Sequence, residues 1–169
     1  MEGLVRLYFE RAENELVLAE SLFKISSDNA LKAHLEIKTA ETFYSAVISH
    51  SYYSIFYCAK AILLANSIKT EPPEEHKKTY NKFKQLKGVL SENLLYIYKI
   101  ESIKAESLLK IFFDEKKKRG KFTYKTLPQA NEEPAKESLK NAGIFFKNIN
   151  AIIENQDALK KEVKKWIKN

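Results

Sequence analysis

Cysteine occurs once in the 169 residues, at Cys58. A single thiol excludes an internal disulfide and a cysteine-built metal site, and its apolar surroundings read as packing. A reducing, cytoplasmic compartment is the expectation that follows. Glycine and proline number four each, as befits a chain made mostly of helices. The glycines stand far apart, so there is no Gly-rich loop to cradle a phosphate. Histidine is limited to His34, His50 and His76. Zinc-type Cys/His clusters, His-Glu-x-x-His and Glu-x-x-His pairs are missing, as is a glycine-flanked serine of the triad type. No metal and no cofactor are therefore expected. The start Met1-Glu2-Gly3 lacks the basic residues and apolar run of a secretory signal.

What is present suits one globular domain. The chain is 44% hydrophobic and 30% charged, with enough length to bury a good core. The net charge of +7 is carried by lysine, since arginine appears only at Arg6, Arg11 and Arg119. A lysine-rich surface is a solvation device, so the placement of the charges says more than their sum.

The stretch from Thr42 to Asn66 organises the rest. It is apolar nearly all round, with Lys60 as its only full charge. Such a helix is either the centre of a bundle or a membrane span. About 20 apolar residues can cross a bilayer, but a lysine within the span costs roughly 3 kcal/mol. Serines crowd the other half, and the flanking segments are amphipathic. A buried central helix is predicted, with no membrane partner. At about 100° per residue, His50, Tyr53, Ser54 and Tyr57 form its one semi-polar stripe.

Before it, Gly3 to Lys24 reads as an amphipathic helix through Val5, Phe9, Ala12, Leu16 and Phe23. Ala30 to Lys38 resumes a helical pattern that either joins the central helix or breaks near Thr39, with His34 structural or at the surface. Pro72 and Pro73 mark the clearest linker. Glu74 to Lys87 is then a short polar helix stopped at Gly88. A long helix is predicted from Ser91 to Lys118, ending in Lys116-Lys117-Lys118-Arg119 and Gly120, and Lys121 to Glu133 reads as a loop. Pro134 opens another helix, in which Gly143 suggests a close helix approach. The expected fold is all-α: an up-and-down bundle of about five main helices over 1–155, plus a short basic C-terminal helix over 156–169.

Two polar sets are candidates for a site. One is the stripe His50, Tyr53, Ser54 and Tyr57. The other is the basic and aromatic segment from Lys118 to Lys125, which includes Arg119, Lys121 and Tyr124. Cations that meet phosphates, interleaved with rings that stack on bases, suit an RNA strand.

These residues resemble a known family. His50 to Ala61, HSYYSIFYCAKA, is similar to the "R-A-Y-Y-A-x-F-H-A-A-K-A" helix of HEPN domains (higher eukaryotes and prokaryotes nucleotide-binding). Arg11 to Leu16 resembles the family's first helix, Glu75-His76 sits where it carries a Thr-His pair, and Arg119 to Tyr124 resembles its "R-x-x-A-D-Y" segment. The resemblance runs from Arg11 to Ile153, with the motifs in matching order. It implies a prokaryotic, stand-alone helical bundle that forms a homodimer with a cleft between the copies. It further implies binding of a nucleotide or RNA, and a nucleotidyltransferase-type partner in a toxin–antitoxin-like system.

Many members are metal-independent ribonucleases in which an arginine is followed four to six residues later by a histidine. Arg119 matches the arginine, but Tyr124, Lys125 and Thr126 stand where the histidine belongs. A tyrosine with an ordinary pKa near 10 is a poor base at neutral pH. His50 replaces the usual arginine before the Tyr-Tyr pair and is the candidate substitute base; His76 reads as a helix-start or interface residue. The leading expectation is a binding module with a degenerate catalytic motif. In it Arg119 and Lys121 hold phosphate, Tyr53, Tyr57, Ser54 and Tyr124 supply stacking or hydroxyl contacts, and Tyr124 is a candidate target of the partner. The alternatives are an active ribonuclease toxin and a non-catalytic structural protein.

Overall fold

Tyr44–Ala65 forms α3, and the other helices are built on it. The computed structural model describes residues 2–98, 105–124 and 131–167. Among them the chain is all α, with no strand. Its remaining helices are α1 (Glu2–Ser27), α2 (Asn29–His34), α4 (Glu75–Gln85), α5 (Lys87–Tyr98), α6 (Ala105–Tyr124) and α7 (Glu132–Ile167). Helices α1, α6 and α7 pack against α3, α4 leans on α3 and α6, and α5 bridges α6 and α7. Because α3 has neighbours on several sides, residues all round it are buried, from Val47 and Ile48 to Ile55, Ala59, Ile62 and Leu63. That is why its sequence shows no single apolar stripe. Among the described residues no helix is long and apolar enough to cross a membrane.

The main core sets Tyr52, Ile55, Phe56 and Leu63 of α3 against Phe83, Leu90, Leu108, Phe112 and Phe145. Phe112 meets Phe83 and Phe145 edge-on at 5.7 and 6.0 Å. A smaller cluster gathers Ala19, Tyr44, Val47, Ile48 and Ala135, with Phe122 and Leu139 beside it. One carboxylate is sealed inside. Glu115 of α6 has no exposed surface and accepts from Lys118 Nζ and Asn141 Nδ2 at 2.8 Å and from Ser138 Oγ at 2.5 Å. This network ties α6 to α7. Burial alone would lower the Lys118 ammonium, but the hydrogen bonds to Glu115 and Glu137 outweigh it and raise the pKa.

Several boundaries differ from the sequence expectation. The helix predicted to Lys38 ends at His34, capped at its start by Asp28 Oδ1. Glu36 turns left-handed at φ 57°, Ile37 N–H donates to the Lys32 carbonyl, and buried Lys32 Nζ donates to the Thr39 carbonyl at 2.9 Å. Those bonds replace the next turn, so α2 and α3 are separate. Gly88 stops nothing: α4 closes at buried Leu86, whose own carbonyl accepts from Leu90 in α5. The helix predicted from Ser91 to Lys118 appears as the end of α5 and most of α6, with 99–104 outside the described residues.

Gly120 does not end α6, which runs to Tyr124 and brings Phe122 onto the smaller core cluster. Gly143 marks no close approach, since a Cβ there would meet nothing within 4 Å. Pro134 sits in the first turn of α7, where its missing N–H removes no helix bond. No break occurs at Asn155-Gln156; the C-terminal segment continues α7.

Candidate functional site

Helical spacing puts His50, Tyr53 and Tyr57 of α3 on one face, and α1, α4 and α6 each add residues to it. The end of α6 contributes Arg119. Its Nη2 donates to Tyr53 Oη at 2.7 Å, and its guanidinium carbon lies 4.7 Å from the Tyr53 ring centre and 5.4 Å from that of Tyr52. Its Nε is buried without a partner. Among the described residues no carboxylate pairs with Arg119, although Glu115 lies one turn earlier on the same helix. The arginine is thus positioned by a phenol and two ring faces, with its charge uncompensated.

The first turn of α4 adds His76, whose Nδ1 is 2.9 Å from Tyr52 Oη. Its ring lies 4.2 Å from that of Phe56, 5.6 Å from Tyr52 and 6.0 Å from Tyr53. Burial lowers the His76 pKa, and the positive charges of Arg119, Lys116 and Lys60 act in the same sense, against Glu75. The imidazole is therefore neutral at physiological pH. Tyr52 is fully buried, and burial raises its phenol pKa well beyond the usual value despite Arg119 nearby, so it stays protonated.

Toward the N-terminus of α3, His50 Nδ1 is 2.6 Å from Glu15 Oε2 of α1. Toward the C-terminus, Tyr57 stacks on Tyr8 at 6.2 Å, with Arg11 at 5.8 Å over its ring. Lys60 pairs with Glu75 and lies 4.5 Å over the Tyr8 ring. A cavity of about 300 Å³ opens beside this pair, lined also by Leu4, Leu64 and Ile68. It is lined by neither Arg119 nor His76, so the uncompensated charge and this hollow are different places.

Of the residues singled out in the sequence, Arg119, Tyr53, Tyr57 and His50 share this face. Ser54 does not reach it: its hydroxyl is fully buried in the bundle with no hydrogen-bond partner. Lys121 is exposed on α6 with its ammonium 5.1 Å from the Phe122 ring. Two residues turn a helix by about 200°, so the extension of α6 past Gly120 carries Lys121 away from the side of Arg119. Tyr124 closes α6, and its side chain lies outside the described residues, as do Lys125 and Thr126. His76 and Lys116 belong here although their local sequence did not single them out. Lys116 precedes Arg119 by three residues, on the same side of the helix. His76 was legible only through its place in the family's Thr-His position. Among the described residues no cluster of His, Cys, Asp and Glu suits a metal ion.

The HEPN domain model matches residues 19–152. The chain belongs to the HEPN domain family. Membership implies nucleotide or RNA binding, or a ribonuclease-like function; HEPN domains also often dimerise. Curated proteins give no match.

Proposed function

We propose that the Arg119 face of α3, α4 and α6 binds the phosphate of a nucleotide or an RNA strand. The observation that supports this most is the guanidinium of Arg119, half-buried on the rings of Tyr52 and Tyr53 with no carboxylate against it. A desolvated cation without a counter-ion favours an incoming anion, and arginine's planar fork matches phosphate oxygens. Lys116 adds charge on the same side, while Tyr53 and Tyr57 offer ring faces and hydroxyls. The neighbouring copy in a homodimer and a nucleotidyltransferase-type partner, of the toxin–antitoxin kind, complete the reading drawn from the family resemblance. Light scattering of the purified protein tests the first, and co-purification from the native host tests the second.

The decisive measurement is fluorescence anisotropy with a labelled single-stranded RNA at low salt, where phosphate contacts are strongest. Arg119→Ala is expected to weaken binding about 10- to 100-fold, the scale of a hydrogen-bonded charge contact, and to flatten the dependence on salt. Equal affinity in wild type and variant would place the binding elsewhere. No affinity in either would leave the lysines as a solvating surface only.

A further inference from the structure

We infer that the hollow beside Lys60 and Glu75 is a second binding site, which takes a small zwitterion with an apolar side chain: a free apolar α-amino acid. It is separate from the Arg119 face and does not depend on the phosphate reading of that face.

Its walls come from four parts of the chain. Leu4 and Tyr8 belong to the start of α1, Lys60 and Leu64 to the end of α3, and Glu75 to the first turn of α4, while the linker before α4 closes the remaining side. That linker is held in place from α4. The Thr70 and Thr79 hydroxyls bond at 2.8 Å, and Lys78 Nζ donates to the Glu71 carbonyl at 3.3 Å. The hollow is thus built into the fold. Its volume of about 300 Å³ is at the small end of ligand sites, which run from about 300 to 1,000 Å³.

Charge selects the ligand. The lining carries two lysines, Lys60 and Lys69, and two glutamates, Glu71 and Glu75. Their charges sum to zero, so a phosphate or a metal ion would find no net countercharge, whereas a molecule with one charge of each sign is matched. The inner pair is drawn out of water, with the Lys60 side chain 11% exposed. Burial works against its ammonium, but hydrogen bonds to Glu75 and Tyr8 outweigh it and raise the pKa, so Lys60 stays charged.

Lys60 engages Oε1 of Glu75, which leaves Oε2 as an acceptor for an incoming ammonium. Lys69 is exposed at the rim and has no ion pair among the described residues, so its ammonium can take the carboxylate. Leu4, Leu64, Ile68 and the ring of Tyr8 are left for the ligand's side chain. Leu4 is 49% exposed, and covering it removes apolar surface from water.

The test is isothermal titration calorimetry of the full-length protein with L-leucine and L-phenylalanine. Two analogues of leucine each lack one charge: leucinamide has no carboxylate, and N-acetyl-leucine has no ammonium. Both amino acids are expected to bind saturably, and each analogue about 10- to 100-fold more weakly than leucine, the scale of a lost contact to a charged group. Leu4→Trp fills the hollow from its exposed rim and should abolish binding, with the helical circular-dichroism spectrum retained. Lys69→Met should weaken leucine by the same factor yet leave leucinamide unchanged, because leucinamide never makes the contact that is removed. A merely structural role of Lys69 would weaken both alike, and that result would overturn the assignment. Wild-type protein that binds neither amino acid also overturns the inference, as do equal affinities for leucine and both analogues, or wild-type affinity in Leu4→Trp. None of these outcomes bears on RNA binding by the Arg119 face, which anisotropy reads separately.

Discussion

Tyr52 and Tyr53 stand side by side in the sequence and have different tasks. Tyr52 is buried and bonds His76 from within the core; Tyr53 is at the rim and bonds Arg119. Tyr53→Phe removes the acceptor of Arg119 but keeps the ring, so RNA affinity should fall several-fold less than in Arg119→Ala, as anisotropy would show. At this scale the sequence was partly readable. Arg119 stood out as one of only three arginines beside aromatic residues, and the alternation of polar residues on α3 exposed Tyr53 and Tyr57. Ser54 was misplaced because helical angle alone does not say how far a neighbouring helix reaches over a short side chain. His76 lay in a polar helix start, where nothing local separates a functional histidine from a solvated one.

The helices show what their own sequence can and cannot fix. Gly143 lies inside α7 with open space around it, and glycine in a helix interior costs about 0.5–1 kcal/mol relative to alanine. Gly143→Ala should therefore raise the free energy of unfolding by that amount, measured by urea titration; a decrease would mean that the close approach suggested by the sequence exists after all. The junction of α6 and α7 is more sensitive. Glu115→Ala removes the carboxylate that Lys118, Ser138 and Asn141 share. Breaking a buried charge pair costs about 3–5 kcal/mol, so the variant should unfold at markedly lower urea. Because α6 also carries Arg119, RNA binding should weaken as well.

Across the whole molecule, the site is coupled to stability through His76. Its pKa is lowered in the folded state by burial and then by Arg119. The unfolded chain therefore binds a proton more readily, and folding loses stability as pH falls through 6.5 toward the folded pKa. The melting temperature should drop between pH 7 and pH 5, and less steeply in His76→Gln; identical slopes would show that the imidazole is not held neutral by the fold.

The sequence by itself determined the all-α class, the central place of Thr42 to Asn66 and the family. Apolar periodicity, a near absence of glycine and proline, and ordered motifs are local properties of the chain. Only the tertiary structure decided which polar groups meet. Tyr53 and Arg119 bond across a sequence separation of 66 residues, and Tyr52 and His76 across 24. Those contacts depend on how α4 and α6 settle on α3, and on α6 continuing through Gly120 so that Lys121 turns away. Packing of whole helices sets such distances, and no window of sequence contains it.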